Sequence, residues 1–188
     1  MKTALDPRHL KRVKLMQCLY EAAYRIKPNS AIVNIWSKLG IIDPLITNSA
    51  PEWPISQINP VDLAILRLAT WELVIDKTTP LRVIIDEAVE LAHEFGSDHS
   101  PSFVNGVLGN LTKTMQKRNA VIQFLANEWQ KNPSELTDDT ILSEMSSDTT
   151  LLTRLQDALD ITIPVELIDI ITIGDLLEAI DPVEEIHA

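Results

Sequence analysis

Residue types able to do covalent or metal chemistry are scarce in this chain of 188 residues, which has four histidines and one cysteine. His9 and His187 lie in the terminal segments, while His93 and His99 flank a turn beside Glu94 and Asp98. That second group reads as a solvated helix-end cluster rather than a metal site. Cys18 sits between Gln17 and Leu19 in a helical pattern, as a small packing residue, and a single cysteine excludes an internal disulfide. The five glycines show neither phosphate-binding spacing, and no serine sits in a nucleophile elbow. No enzyme and no cofactor are therefore expected. The basic side chains are more informative. Arg8, Lys11 and Arg12 stand at i, i+3 and i+4 and so share one side of a helix, with Lys14 turned about 60–100° away. Such a strip either grips phosphates or forms an ordinary solvated face. Arg67, alone in an apolar helix, can pair internally with a carboxylate. Phe103, at a helix start, is either core or a platform for a stacked base.

The elements that must carry these residues are helical. Proline at the first helical turn marks the starts at Asp6-Pro7, Asn59-Pro60, Thr79-Pro80 and Ser100-Pro101. The first helix is expected to run to about Ile26 with Leu10, Val13, Gln17, Tyr20 and Tyr24 on one face. Ser30 is read as the cap of a second, and Pro44, Pro51 and Pro54 as breaks. A helix from Asn59 through Ile75 is apolar on nearly all sides, the pattern of a central bundle helix. In the next, Ile84, Ile85, Ala88, Val89, Ala92 and Phe95 point inward and Gly96 supplies a left-handed stop. The helix from Ser100 carries Phe103, Val104, Val107, Leu108 and Leu111, and a break is expected at Gln116–Asn119. Beyond it, helices are expected at Ala120–Trp129, Asp148–Leu159, Pro164–Ile168 and Gly174–Ile180, the last capped by Thr172. Ile161–Ile163 reads as an extended link and Thr137–Thr140 as a polar loop.

The formal charge of −11 hides an asymmetry: residues 1–118 carry +2 and residues 119–188 carry −13. Seven bases and two acids fall within the first 27 residues. Two modules with different partners follow, residues 1–117 and 119–188. With 45% hydrophobic residues the chain can build a core, and no apolar run approaches a membrane span. The N-terminus lacks a signal-peptide pattern, so a cytoplasmic location is expected.

Three stretches of the first module resemble the NusB family. Asp62-x-x-Ile65-Leu66-Arg67-x-Ala69-x-x-Glu72-Leu73 is similar to its central helix, Ile84 through Ala92 to the next, and Phe103-Val104-Asn105-Gly106-Val107-Leu108 to its following signature. Arg8, Arg12, Gln17, Leu19 and Tyr20 fit the arginine-led first helix. The resemblance implies an all-helical protein that binds the boxA element of ribosomal RNA, together with the ribosomal protein NusE, in the transcription elongation complex. It places Arg8, Lys11, Arg12, Lys14, Arg67 and Phe103 at the RNA, and Tyr20 and Glu72 at the protein partner. Asn105-Gly106 reads as a close-packing feature. Two departures stand out: only 32 residues separate Tyr20 from Trp53, fewer than in most members, and Ser102 replaces a frequent lysine.

Residues 119–182 resemble acyl carrier proteins in Val121–Leu125, Asn132–Thr140, Ile161–Pro164 and Ile171–Leu177. Carriers attach phosphopantetheine to a serine in Asp-Ser-Leu. Here that position falls on Thr149, after Asp148, or on Met145, according to register, and Ser146 and Ser147 lack the motif. The resemblance therefore implies a carrier-like helical bundle without acyl carrying, presenting acidic residues to a protein partner. The whole reads as an all-α, non-enzymatic antitermination factor with an acidic appendage. The alternatives are a protein–protein adaptor that has lost RNA binding, or an acyl-carrier-related protein.

Overall fold

The computed structural model describes residues 6–24, 28–142, 150–163 and 171–182. It divides into two compact units, Met1–Lys113 and Thr114–Ala188. The expectations for Lys2, Arg25–Lys27, Met145–Thr149, Pro164–Ile168 and His187 lie outside the described residues. No helix among the described residues is long and apolar enough to cross a membrane.

Helix α1 (Pro7–Ala22) starts where Asp6 accepts the Arg8 N–H at 2.9 Å. Its buried side is Arg12, Met16, Leu19 and Ala22, not the expected stripe. Leu10, Tyr20 and Tyr24 are exposed. The stripe was misjudged because pattern reading puts arginine outside, whereas Arg12 points in. Asn29, rather than Ser30, caps the next segment, a 3₁₀ turn (Ser30–Ile32) leading into α2 (Val33–Trp36). Pro44 does not break the chain but lies inside α3 (Leu39–Ser49). The hydrogen bond it forgoes is to the carbonyl of Gly40, in the first turn, so one ladder bond is lost near an end.

Asn59 caps α4 (Pro60–Trp71), accepting the Val61 N–H at 2.9 Å. This helix packs against α1, α3 and α5 (Leu81–Phe95), and its Ala64, Ile65, Leu66, Leu68 and Ala69 are buried. It is the apolar centre that the sequence implies. Beyond Trp71 the helix widens into a π turn (Glu72–Asp76), closed by left-handed Lys77 at φ 54°. After α5, Gly96 is extended (φ −91°, ψ −168°), not left-handed. A glycine is needed for a different reason. A Cβ there would lie 2.4 Å from the Ser100 Cβ and 2.6 Å from the Ala92 carbonyl oxygen.

Helix α6 (Ser100–Trp129) runs through the expected break at Gln116–Asn119. None of those four residues forbids helix, so polarity alone did not end it. The boundary between the two units falls inside it.

In the second unit the end of α6 is followed by a 3₁₀ turn (Pro133–Glu135) capped by Asn132, then by α7 (Leu151–Leu159) and α8 (Ile173–Ala179). Thr172 and Asp175 form a reciprocal capping box on α8. The Ile161–Ile163 link is more than a link, since β1 (Ile161–Thr162) pairs antiparallel with β2 (Asp181–Pro182). These two-residue strands leave the class all-α. The core comprises Val121, Leu125, Leu136, Leu151, Leu155, Ile173, Leu176 and Ile180 with their neighbours.

Candidate nucleic-acid interface

The basic residues of α1 separate into an exposed group and a buried one. Arg8, Lys11 and Lys14 are exposed. Arg8 folds back on the N-cap, with Nη2 3.1 Å from Asp6 Oδ2 and Nε 3.3 Å from Oδ1. Those hydrogen bonds, with the backbone one, hold the Asp6 carboxyl below its usual range and raise the guanidinium in turn.

Arg12 faces the interior. Its Nε donates to both Glu72 oxygens at 3.0 and 3.1 Å, Nη2 reaches Thr79 Oγ1 at 3.5 Å, and Nη1 lies 3.8 Å from Glu87 Oε2. The π turn begins at Glu72, the residue that receives this arginine, and π turns collect at functional positions because they re-aim a side chain. Around the pair, Arg8, Lys11 and Leu15 of α1, Asn34 and Ile35, and Trp71, Asp76 and Thr78 enclose a cleft of about 330 Å³. Exposed cations at its edge suit it to an anionic, partly apolar ligand.

His9 joins α1 to α5, with Nδ1 3.0 Å from Glu87 Oε2 and Nε2 3.2 Å from Glu94 Oε2. Burial alone would lower its pKa; the hydrogen bonds to Glu87 and Glu94 outweigh it and raise the imidazole.

Arg67 takes the internal alternative. Its Nε and Nη2 meet the two oxygens of Asp43 at 2.9 and 2.7 Å, bridging α4 and α3 with 12% of the side chain exposed. Glu72 is likewise buried against Arg12. Tyr20 is exposed and tilted against Tyr24, ring centres 5.4 Å apart. Phe103, half-buried, meets Trp53 edge-on at 6.0 Å and 73°. The two rings border a second cleft of about 400 Å³, lined also by Ser49, Pro51, Gly106 and Asn110. Asn110 Nδ2 donates to the Ser49 carbonyl at 3.1 Å across it. Asn105 and Gly106 are exposed, and a Cβ on Gly106 would meet nothing within 4 Å. The close-packing reading of this dipeptide is thus corrected: the glycine keeps the rim low. Ser102 is also exposed on this rim.

Sequence reasoning did not single out Trp53, His9, Thr79 or Glu87. Trp53, between Pro51 and Pro54, is a large ring fixed on a stiff loop, a signal that could have been used. The others are paired across long stretches of chain, which no local pattern encodes.

Residues 29–113 match the NusB family. Two relatives named transcription antitermination protein NusB are those of Roseiflexus castenholzii and Chloroflexus aggregans. The first is 48% identical over 89 residues, 46% of this chain and 63% of that protein; the second is 47% identical over 92 residues, 47% and 61%. The chain thus spans 61–63% of the length of these relatives. A solved structure of T. maritima NusB superposes with a TM-score of 0.52 at 32% identity, covering 60% of this chain and 93% of that one. The chain belongs to the NusB family. The matched segment of the NusB family lies wholly within the first unit and holds α4, the π turn, α5 and the Phe103 turn.

Proposed function

We propose that this chain is a non-enzymatic, cytoplasmic transcription antitermination factor of the NusB type, binding boxA-like RNA together with the ribosomal protein NusE. The observation that carries the reading is the division of labour on α1. Arg12 anchors the helix from inside through Glu72, which leaves Arg8, Lys11 and Lys14 at the rim of a cleft. Fixing a helix by a buried pair spares its exposed cations the ordering cost of finding phosphates. The Trp53–Phe103 cleft adds a surface on which an unpaired base could stack. Tyr20 and Tyr24 add an exposed aromatic pair suited to the protein partner.

The test is a gel-shift titration with boxA-like RNA at moderate salt. Reversing Lys11 and Lys14 to Glu removes cations that bear no fold contact here, and affinity should fall at least about 10-fold with a shallower salt slope. Unchanged retention by that variant would refute the RNA assignment.

One observation favours the adaptor reading instead: Arg12 and Arg67, both assigned to RNA, are internally paired. It predicts no RNA affinity in the native chain either, with NusE binding retained.

For the second unit we propose a carrier-like module without acyl-carrying chemistry, acting as an acidic protein-binding surface. Its support is the sequence resemblance together with the capped α8 and the aliphatic core. Incubation with a phosphopantetheinyl transferase and coenzyme A should leave the mass unchanged. A gain of one phosphopantetheine would make it a working carrier.

A further inference from the structure

The polar side of α5 that faces α1 carries more than a helix contact requires. Glu87, Glu90 and Glu94 stand at i, i+3 and i+7, one stripe along the helix. His9 of α1 stands against that stripe, and its side chain is only 12% exposed. One ring nitrogen of His9 and one carboxylate oxygen each from Glu87 and Glu90 lie within 4.8 Å of one another. A tetrahedral ion with metal–ligand bonds of about 2.0–2.2 Å sets its ligand atoms about 3.4 Å apart, so small adjustments would close the group around one.

We propose that His9, Glu87 and Glu90 form a site for one divalent ion of the zinc class, tying the basic helix α1 to α5. Three features point this way beyond the presence of acids. The imidazole offers its Nδ1 edge to Glu87, while its other nitrogen is engaged by Glu94 at 3.2 Å. A carboxylate holding the far nitrogen of a ligating histidine is the usual support of such a ligand, since it fixes ring and tautomer. Two carboxylates with a neutral imidazole carry a charge of −2, which a divalent ion cancels. The nearest cation, Arg12, directs its Nε at Glu72 and keeps Nη1 3.8 Å from the Glu87 oxygen, so its charge is met mainly elsewhere. One nitrogen and two oxygens suit zinc, which accepts both, better than magnesium, which keeps oxygen and water. The exposed side of Glu90 leaves room for water to complete the coordination.

The full chain, stripped with a chelator, is titrated with zinc chloride by calorimetry. The expected result is one zinc ion per chain with a dissociation constant at or below about 10 μM, some 7 kcal/mol of binding free energy. Glu90→Gln alters an exposed position, so the fold should survive, as circular dichroism will check, while affinity falls at least about 10-fold. Glu94→Gln, touching only the far nitrogen, should weaken binding by about 10-fold. Cys18→Ser and His99→Gln should leave it unchanged. Absence of one-to-one binding would overturn the proposal, as would binding that survives both Glu90→Gln and His9→Gln. Equal competition by magnesium would mean an unselective acidic patch and would overturn it too.

Discussion

Among the described residues, the interior of Met1–Lys113 holds Arg12, Asp62, Glu72 and Glu87 beside its aliphatic side chains, whereas the core of Thr114–Ala188 is built from Val121, Leu125, Leu155, Leu176 and similar residues alone. Charges of the second unit stay at its surface, in pairs such as Arg118–Asp138 and Arg154–Glu128. The difference teaches what each interior is for. An aliphatic core is non-directional: it holds elements together without aiming any one side chain. A buried ion pair adds little net stability, because desolvation consumes much of the attraction, but it fixes register and direction. The first unit has an element to aim, and α1 is pinned through Arg12 and His9 at two points on successive turns.

The largest expected effect tests that contrast from the polar side. Glu72→Ala strands Arg12 with its charge buried and should cost about 3–5 kcal/mol in denaturant unfolding. Replacing both partners by apolar residues of similar volume, Arg12→Met with Glu72→Leu, should recover most of that stability. Its RNA affinity should stay low if the pair serves to aim α1, and return if the pair is mere packing. The aliphatic side is probed next. Leu155 is fully buried, so Leu155→Ala should cost about 2–5 kcal/mol, read by hydrogen exchange over residues 121–126. A cost below about 1 kcal/mol would mean that this core collapses around the hole and is not closely packed.

The smallest effect concerns Asp62, in the first turn of α4. Its carboxyl is buried and hydrogen-bonded to Ser100, and one oxygen has no partner among the described residues. Burial pushes its pKa up, and the Ser100 hydrogen bond offsets part of that rise. A carboxyl raised in the native state contributes fully below its ordinary pKa, and that contribution is lost as pH rises through the native value. Asp62→Asn, which cannot ionise, should therefore show a flatter stability–pH profile from acid to neutral, with its advantage growing as pH rises. Parallel profiles for the two proteins would remove Asp62 from the buried charges of the first unit.

These interiors also explain what could be read in advance. Helix starts were legible at Asp6-Pro7 and Asn59-Pro60 because cap and first-turn proline are local chemistry. The central apolar helix was legible because its periodicity is nearly saturated. The buried face of α1 was not. A pattern that places arginine outside rotates the stripe toward Leu10 and Tyr20, and the correction needs Glu72, sixty residues on. Gly96 was legible as a required glycine but not for the right cause, since the clash with Ser100 belongs to the turn and not to a positive φ. At the candidate interface, Arg8, Lys11 and Lys14 were found by spacing alone. Trp53 was not, because its partner Phe103 comes from α6.

The π turn at Glu72–Asp76 has a consequence for comparing sequences. It is equivalent to one residue inserted into an α-helix, so it makes the length between Glu72 and Pro80 a fixed count. A single-residue deletion there would convert the turn to α geometry and advance everything after it by about 100° of rotation and 1.5 Å of rise. Thr79 would leave Arg12, and the start of α5 would swing with it, carrying Glu87 away from both Arg12 and His9. A one-residue gap in an alignment at this point therefore marks relatives whose first helix is held by some other set of contacts.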